Sequence, residues 1–282
     1  MISFVGAGPG AADLITLRGA ARLAEAEVVI WASSLVPAEL LDHCADGAEV
    51  HDSATMTLED VLDVYAERPD ATPIVRLHSG DPSLYGAVQE QVDWCIAQER
   101  AWEVVPGVTS VSAASAAMGR ELTIPGVSQS IVTTRLAGRT ASSMPEGEGV
   151  AAYARHGGTL AVLLSAARPD ELQDELLRPG SAFTPATPAA VVVRATWPDQ
   201  QVVATTVGEL AEAVRSTGAT MTALVLVGEA LASRDDERRS HLYAPTYTTA
   251  YRLRSTDGST RGRPSARPTD ARTALAEQPG DR

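Results

Sequence analysis

The chain opens with a short apolar run, Ile2–Val5, that stops at Gly6-Ala7-Gly8-Pro9-Gly10, after which Leu14, Leu17, Ala20, Ala21 and Ala24 recur at helical spacing. A run this short, cut by a glycine loop and followed by an amphipathic pattern, predicts strand, loop and helix in succession. The unit then repeats. Val28–Trp31 reads as a second buried strand, and Thr57 with Asp60 forms a capping-box-like helix start ahead of Leu58, Val61, Leu62 and Tyr65. Ile74–Leu77 is a third strand, running into the loop His78-Ser79-Gly80-Asp81-Pro82-Ser83-Leu84-Tyr85-Gly86. A helix over 87–99, a strand Trp102–Val105, the turn Pro106-Gly107-Val108-Thr109 and an Ala/Ser-rich helix complete the first half. Strands alternating with helices imply a mainly parallel sheet.

The second half has another rhythm. Ser128–Thr134, Thr159–Leu164, Ala189–Ala195, Gln201–Thr206 and Ala223–Val227 read as strands, while helices fit near 168–178 and 207–216. Trp197-Pro198-Asp199 separates Val191–Val193 from Gln201–Val203, which predicts a hairpin and therefore a mixed sheet. The sequence thus divides into an α/β domain over 1–118 with a parallel sheet and an α/β domain over 119–254 with a mixed sheet. Residues 255–282 are Arg, Ser, Thr, Pro, Gly and Asp with almost no apolar residues, and are expected to be disordered.

Composition narrows the function. Of 282 residues, 44% are hydrophobic, enough for a substantial core, yet no apolar run is long enough to span a bilayer. The first residues lack the basic and apolar regions of a secretory signal, so a cytoplasmic protein without membrane contact is expected. Cys44 and Cys95 stand apart from each other and from any CxxC pattern, so neither a disulfide framework nor a bound metal is expected. A formal charge of −13 disfavours nucleic acid as a partner.

Gly6-x-Gly8-x-x-Ala11 satisfies the dinucleotide fingerprint in form. The fingerprint also needs a carboxylate closing the second strand, and here that strand ends Trp31-Ala32-Ser33-Ser34. Pro9 further removes one backbone N–H from the loop. A nicotinamide dehydrogenase is therefore disfavoured.

The glycine loop followed by Asp13–Gly19, the Gly80-Asp81-Pro82 loop, and the turn Pro106-Gly107-Val108-Thr109-Ser110 together resemble the signatures of the tetrapyrrole methyltransferases, in the family's order. The resemblance covers about residues 1–254 and implies a two-domain fold with the active site between the domains, S-adenosylmethionine (SAM) as methyl donor, and a homodimer. Within the family the likeness is to the branch acting on precorrin-4 or cobalt-precorrin-4. It is carried by Ala32–Pro37, Leu77–Ser83, Gly119–Pro125, Val127–Ser130, Thr134-Arg135, Gly138–Thr140 and His241–Tyr243. The uroporphyrinogen-III branch usually has an Asp where Ala32 sits and a lysine further on, which Val50–Met56 lacks. No acid–base pair is therefore carried over, and the catalytic residues are unassigned.

By residue-wise likeness, SAM contacts Pro9, Ser79, Gly80, Asp81, Leu84, Thr109, Ser110, Leu164 and Ala195. A tetrapyrrole substrate bearing several carboxylates calls for local positive charge in this acidic chain, which makes Arg120, Arg135 and Arg139 the substrate-binding candidates. His78 and Tyr85 are expected to line the cleft as hydrogen-bond donors; Arg76 is a weaker candidate because its strand position can point it away. Two other readings use the same fold: RNA or diphthamide methylation, and a SAM-binding sensor that transfers nothing.

Overall fold

The structure, a computed structural model, describes residues 1–137, 142–232 and 240–265. Met1–Ala232 is one compact unit and Ser233–Arg282 a second.

In the first unit, β1 (Ile2–Gly6), α1 (Leu17–Glu25), β2 (Val28–Trp31), β3 (Glu49–Asp52), α2 (Leu58–Ala66), β4 (Ile74–His78), α3 (Gln89–Ala97) and β5 (Trp102–Val105) follow in order. Their five strands form a sheet in the order β3-β2-β4-β1-β5, every pairing parallel. Ile2, Phe4, Ile30 and Ile74 join one buried cluster while Val5, Val29, Val75 and Leu77 join another. Both faces of the sheet are covered, which is why its central strands read as continuous apolar runs. The neighbours of β1 are β4 and β5, so β2 does not lie beside β1 as it does in a dinucleotide-binding domain.

After α4 (Ser110–Met118) come β6 (Ile131–Arg135), α5 (Val150–Ala154), β7 (Thr159–Leu163), α6 (Pro169–Leu176), β8 (Pro188–Val193), β9 (Gln201–Thr206), α7 (Leu210–Ser216) and β10 (Ala223–Val227). The second sheet runs β6-β7-β10-β8-β9, with β6 parallel to β7 and the other pairs antiparallel. The predicted hairpin is β8–β9, with Val193 opposite Gln201.

The differences from the sequence reading have local causes. Strand β3 was not expected because Glu49-Val50-His51-Asp52 is a polar, largely exposed edge strand without alternation. Helix α3 is shorter than 87–99 because Ala87 (φ 47°) and Glu99 (φ 53°) leave the helical region at its two ends. Strand β6 begins at Ile131 rather than Ser128, whose hydroxyl accepts from Thr159 N–H at 3.1 Å and donates to the Ser130 carbonyl at 3.1 Å. The helix expected over 207–216 begins as a 3-10 turn, Val207–Glu209, and becomes α-helical at Leu210. The Thr57 capping box is formed as expected.

In the second unit, β11 (Arg252–Leu253) pairs with β12 (Arg263–Pro264) around a turn containing Gly258 at φ 75°. The Arg252 guanidinium donates to the carbonyls of Leu242 and Ala244 at 2.7 and 3.0 Å. Residues 255–265, the beginning of the tail expected to be disordered, therefore belong to a small hairpin that the turn residues allow without a hydrophobic core. Among the described residues no helix is long and apolar enough to cross a membrane.

Candidate functional site

Three loops far apart in the sequence meet beyond the carboxyl ends of β1, β4 and β5. Gly8 N–H donates to the Gly80 carbonyl at 3.1 Å, and Gly80 N–H returns a bond to the Gly8 carbonyl at 2.8 Å. Gly107 completes the contact: a Cβ there would stand 2.1 Å from the Gly80 carbonyl oxygen and 2.8 Å from Gly6 Cα. Close approach of backbones, not turn geometry alone, requires glycine at this point.

Asp81 fastens the loops. Its Oδ2 accepts from Gly107 N–H at 2.8 Å, and its Oδ1 accepts from Ser83 N–H at 2.9 Å and from the Ser83 hydroxyl. Burial pushes this carboxyl up, but the Ser83 and Gly107 donors outweigh it and hold the net pKa below the usual value. Thr109 caps α4, its hydroxyl accepting from Ser112 N–H at 3.2 Å.

A cavity of about 350 Å³ opens beside these loops. Pro9, Ser79, Gly80, Asp81, Leu84, Thr109, Ser110, Leu164 and Ala195 all line it, so the structure brings together every position assigned to the donor from sequence. The lining also includes residues that sequence reasoning missed, among them Leu35, Ser165, Arg194, Met221 and Thr222. Tyr85 (φ 56°), Leu164 (φ 52°), Arg194 (φ 48°) and Thr222 (φ 55°) all hold left-handed backbone on the cavity lining. Such a conformation costs a side-chain-bearing residue about 1 kcal/mol or more, and strain of this kind concentrates at functional sites. It also ends β7 and β8 one and two residues before the predicted Leu164 and Ala195, turning both toward the cavity.

The turn after β8 is tied to the glycine loop. Trp197 Nε1 donates to the Pro9 carbonyl at 3.0 Å, and Ala11 N–H donates to Thr196 Oγ1 at 2.9 Å. A Cβ on Gly10 would come within 2.3 Å of the Trp197 ring. Pro9 thus contributes its carbonyl where it lacks an N–H.

The substrate candidates are placed differently. Tyr85 lines the cavity; burial raises its pKa, against an opposing pull from the Arg135 charge. His78 is only 5% exposed and lies outside the lining, its ring facing Phe4 with centroids 6.1 Å apart. Burial, reinforced by the Arg76 charge, lowers its pKa to about 3, so it is a neutral imidazole beneath the loops. Arg76 points into the sheet, donating to the carbonyls of Ile30 and Leu77 at 3.4 and 3.2 Å. Arg135, at the end of β6, donates to the Ala137 carbonyl at 3.3 Å and to the Ser143 hydroxyl at 2.8 Å. Arg120 follows Gly119, the left-handed end of α4, and neither arginine is on the cavity lining. Arg139 lies outside the described residues.

Fold and loops together define a tetrapyrrole methylase: residues 1–211 match the family Tetrapyrrole (Corrin/Porphyrin) Methylases, and the chain belongs to it. Its relatives include the precorrin-4 C(11)-methyltransferase of Rhodococcus erythropolis, 44% identical over 87% of this chain and 97% of that protein. The cobalt-precorrin-4 C(11)-methyltransferase of Methanocaldococcus jannaschii is 42% identical over 82% of this chain and 88% of the relative. Among solved structures, a cobalt precorrin-4 methyltransferase, described as a cobalamin biosynthetic enzyme, superposes with a TM-score of 0.78 at 41% identity, covering 82% of this chain and 96% of that one. A uroporphyrin-III C-methyltransferase from Thermus thermophilus complexed with S-adenosylhomocysteine gives 0.66 at 31% identity, over 83% and 96% of the two chains.

Proposed function

We propose that this chain transfers a methyl group from SAM to C11 of precorrin-4 in cobalamin biosynthesis. The observation that carries the reading is the convergence of the glycine loop, the Gly-Asp-Pro loop and the Pro-Gly-Val-Thr turn on one cavity lined by all nine donor positions. The identity to the Rhodococcus relative, over nearly its whole length, supports the choice of acceptor.

The lining suits a nucleoside sulfonium. Glycine backbones approach closely, Leu84 and Leu164 offer apolar surface, and Asp81 and Arg194 are the charged side chains among the described lining residues. SAM, when bound, supplies a methyl group already activated by its positively charged sulfur. The protein's part is to hold donor and acceptor in line, and fixing two reactants in attack geometry is worth about 7–11 kcal/mol in favourable cases. The Gly8–Gly80 bridge, the Asp81 clasp and the Trp197–Pro9 bond tie the loops around the cleft to one another. Ala32 supplies no carboxylate, although Asp52 of the neighbouring strand accepts from Ser33 N–H at 3.1 Å at the same strand end. No acid–base residue is assigned, and loss of the acceptor's proton can follow attack. Tyr85 on the lining, whose pKa the Arg135 charge pulls down against burial, and Arg135 itself would meet a substrate carboxylate, with Arg120 and Arg139 as further candidates. Cytoplasmic residence and a homodimer belong to the same reading, and sedimentation equilibrium tests the second.

Similar identity to relatives named for precorrin-4 and for cobalt-precorrin-4 makes the cobalt form a second acceptor reading. Incubation of the purified protein with labelled SAM and each form tests both. Label at C11 of the product, located by NMR, is expected. Transfer to another carbon, or donor binding without transfer to either form, overturns the proposal, the latter in favour of a sensor.

A further inference from the structure

Arg194 has no counterpart among the site residues read from sequence, yet it stands on the cavity wall. Its guanidinium is held from two directions. The carbon Cζ lies 4.0 Å above the Trp197 ring, and Nε donates to Asp199 Oδ1 at 2.7 Å. Trp197 is itself fixed, through Nε1 to the Pro9 carbonyl and by contact with Gly10. The backbone beneath is set as well: Arg194 has φ 48°, and its N–H donates to the Thr222 carbonyl at 2.8 Å. Stacking and the Nε bond leave the terminal edge of the fork. Among the described residues neither Nη1 nor Nη2 has a hydrogen-bond partner, and the side chain is 34% exposed.

A guanidinium whose face and Nε are already engaged offers two parallel N–H donors, the arrangement that matches a carboxylate. Ordering this side chain in advance also removes most of the rotamer entropy that binding would otherwise cost. The other charged side chain of the lining, Asp81, has both oxygens occupied by backbone and Ser83 donors. On the proposed function, both reactants bring carboxylates: the amino-acid end of the donor and the side chains of the tetrapyrrole. We propose that Arg194, clamped by Trp197 and Asp199, is a carboxylate anchor of the cavity. This rests on the methyltransferase reading.

The test uses the full chain and its R194Q and R194K variants, with three readouts besides melting temperature: affinity for S-adenosylhomocysteine, affinity for methylthioadenosine, which lacks the amino-acid carboxylate, and KM for precorrin-4. R194Q is expected to weaken one carboxylate-bearing ligand at least tenfold while methylthioadenosine binds as to the parent. Loss confined to S-adenosylhomocysteine assigns the anchor to the donor; a rise confined to the precorrin-4 KM assigns it to the acceptor. R194K, which keeps the charge without the fork, is expected to recover only part of the loss. Unchanged behaviour of R194Q toward both carboxylate ligands overturns the anchor, and so does a parallel loss of all three with a lowered melting temperature. Failure of the parent itself to bind S-adenosylhomocysteine overturns the methyltransferase reading instead.

Discussion

Behind one side of the cavity, where Gly80 is on the lining, Gly6, Gly80 and Gly107 let three backbones touch, whereas on the other Leu164, Arg194 and Thr222 keep full side chains on a backbone shape that favours glycine. The first wall gains its form by deleting side chains. Contact between main chains leaves no slack there, and Asp81 locks what remains. The second wall gains its form from the strands beneath it. Strands β7, β8 and β10 are buried nearly throughout, and their packing imposes left-handed residues at their ends. One wall is specified by residues at the site, the other by residues under it.

Substitution separates the two. The largest effect is expected from Gly107→Ala, because the new methyl would meet the Gly80 carbonyl at 2.1 Å with backbone on every side. Overpacking against atoms that cannot rotate away costs about 3 kcal/mol or more, so urea unfolding should show a loss of that size together with loss of S-adenosylhomocysteine binding. A folded, binding-competent Gly107→Ala protein would mean that the first wall is as pliable as the second.

The next effect is one of pH. His78, under the first wall, has its pKa lowered to about 3 by burial and the Arg76 charge, against an ordinary value of 6.5 in the unfolded chain. The unfolded state therefore binds the proton first. The stability contributed by neutral His78 is fully present above pH 6.5 and is lost as pH falls from there toward 3, at about 1.4 kcal/mol per pH unit. His78→Gln should flatten that acid limb when urea midpoints are compared at pH 7 and pH 5. An unchanged slope would take His78 out of the buried neutral state.

A smaller effect tests the tie between the walls. Trp197→Phe keeps a ring beside Gly10 but removes the donor to the Pro9 carbonyl. The loss of one such bond is worth about 1 kcal/mol. Calorimetric affinity for S-adenosylhomocysteine should fall severalfold while the fold persists; an affinity equal to the parent's would show that the walls hold their places independently.

The smallest effect should carry the opposite sign. Leu164 is 67% exposed and strained, so Leu164→Gly forfeits little burial while relieving its backbone. Stability within about 1 kcal/mol of the parent, on the favourable side, is expected alongside weaker donor binding. A clear destabilisation would mean that the second wall is held by contacts of its own side chains.

The contrast also accounts for what could be read from the sequence. Central strands were legible because burial on both faces makes them short apolar blocks, and the glycine loops because few residues can stand where backbones touch. The donor positions followed from those loops and from family likeness, and they do share one cavity. Arg194 and Thr222 were not legible, since a left-handed threonine or arginine leaves no local signature; the sheet below decides it. Strand β3 was missed because an exposed edge of Glu, Val, His and Asp lacks the alternation that marks a half-buried strand. His78 was expected in the cleft because it adjoins the Gly-Asp-Pro loop, but its strand position turns the ring inward against Phe4.

The left-handed residues at the strand ends bear on how such a protein can be altered. A position whose backbone is set from below can change its side chain while the scaffold stays, so exchanging Leu164 or Thr222 redraws the pocket without redesigning the sheet. Laboratory evolution toward an altered donor should accumulate its successful changes there, leaving the glycine junction as the fixed hinge-pin of every variant.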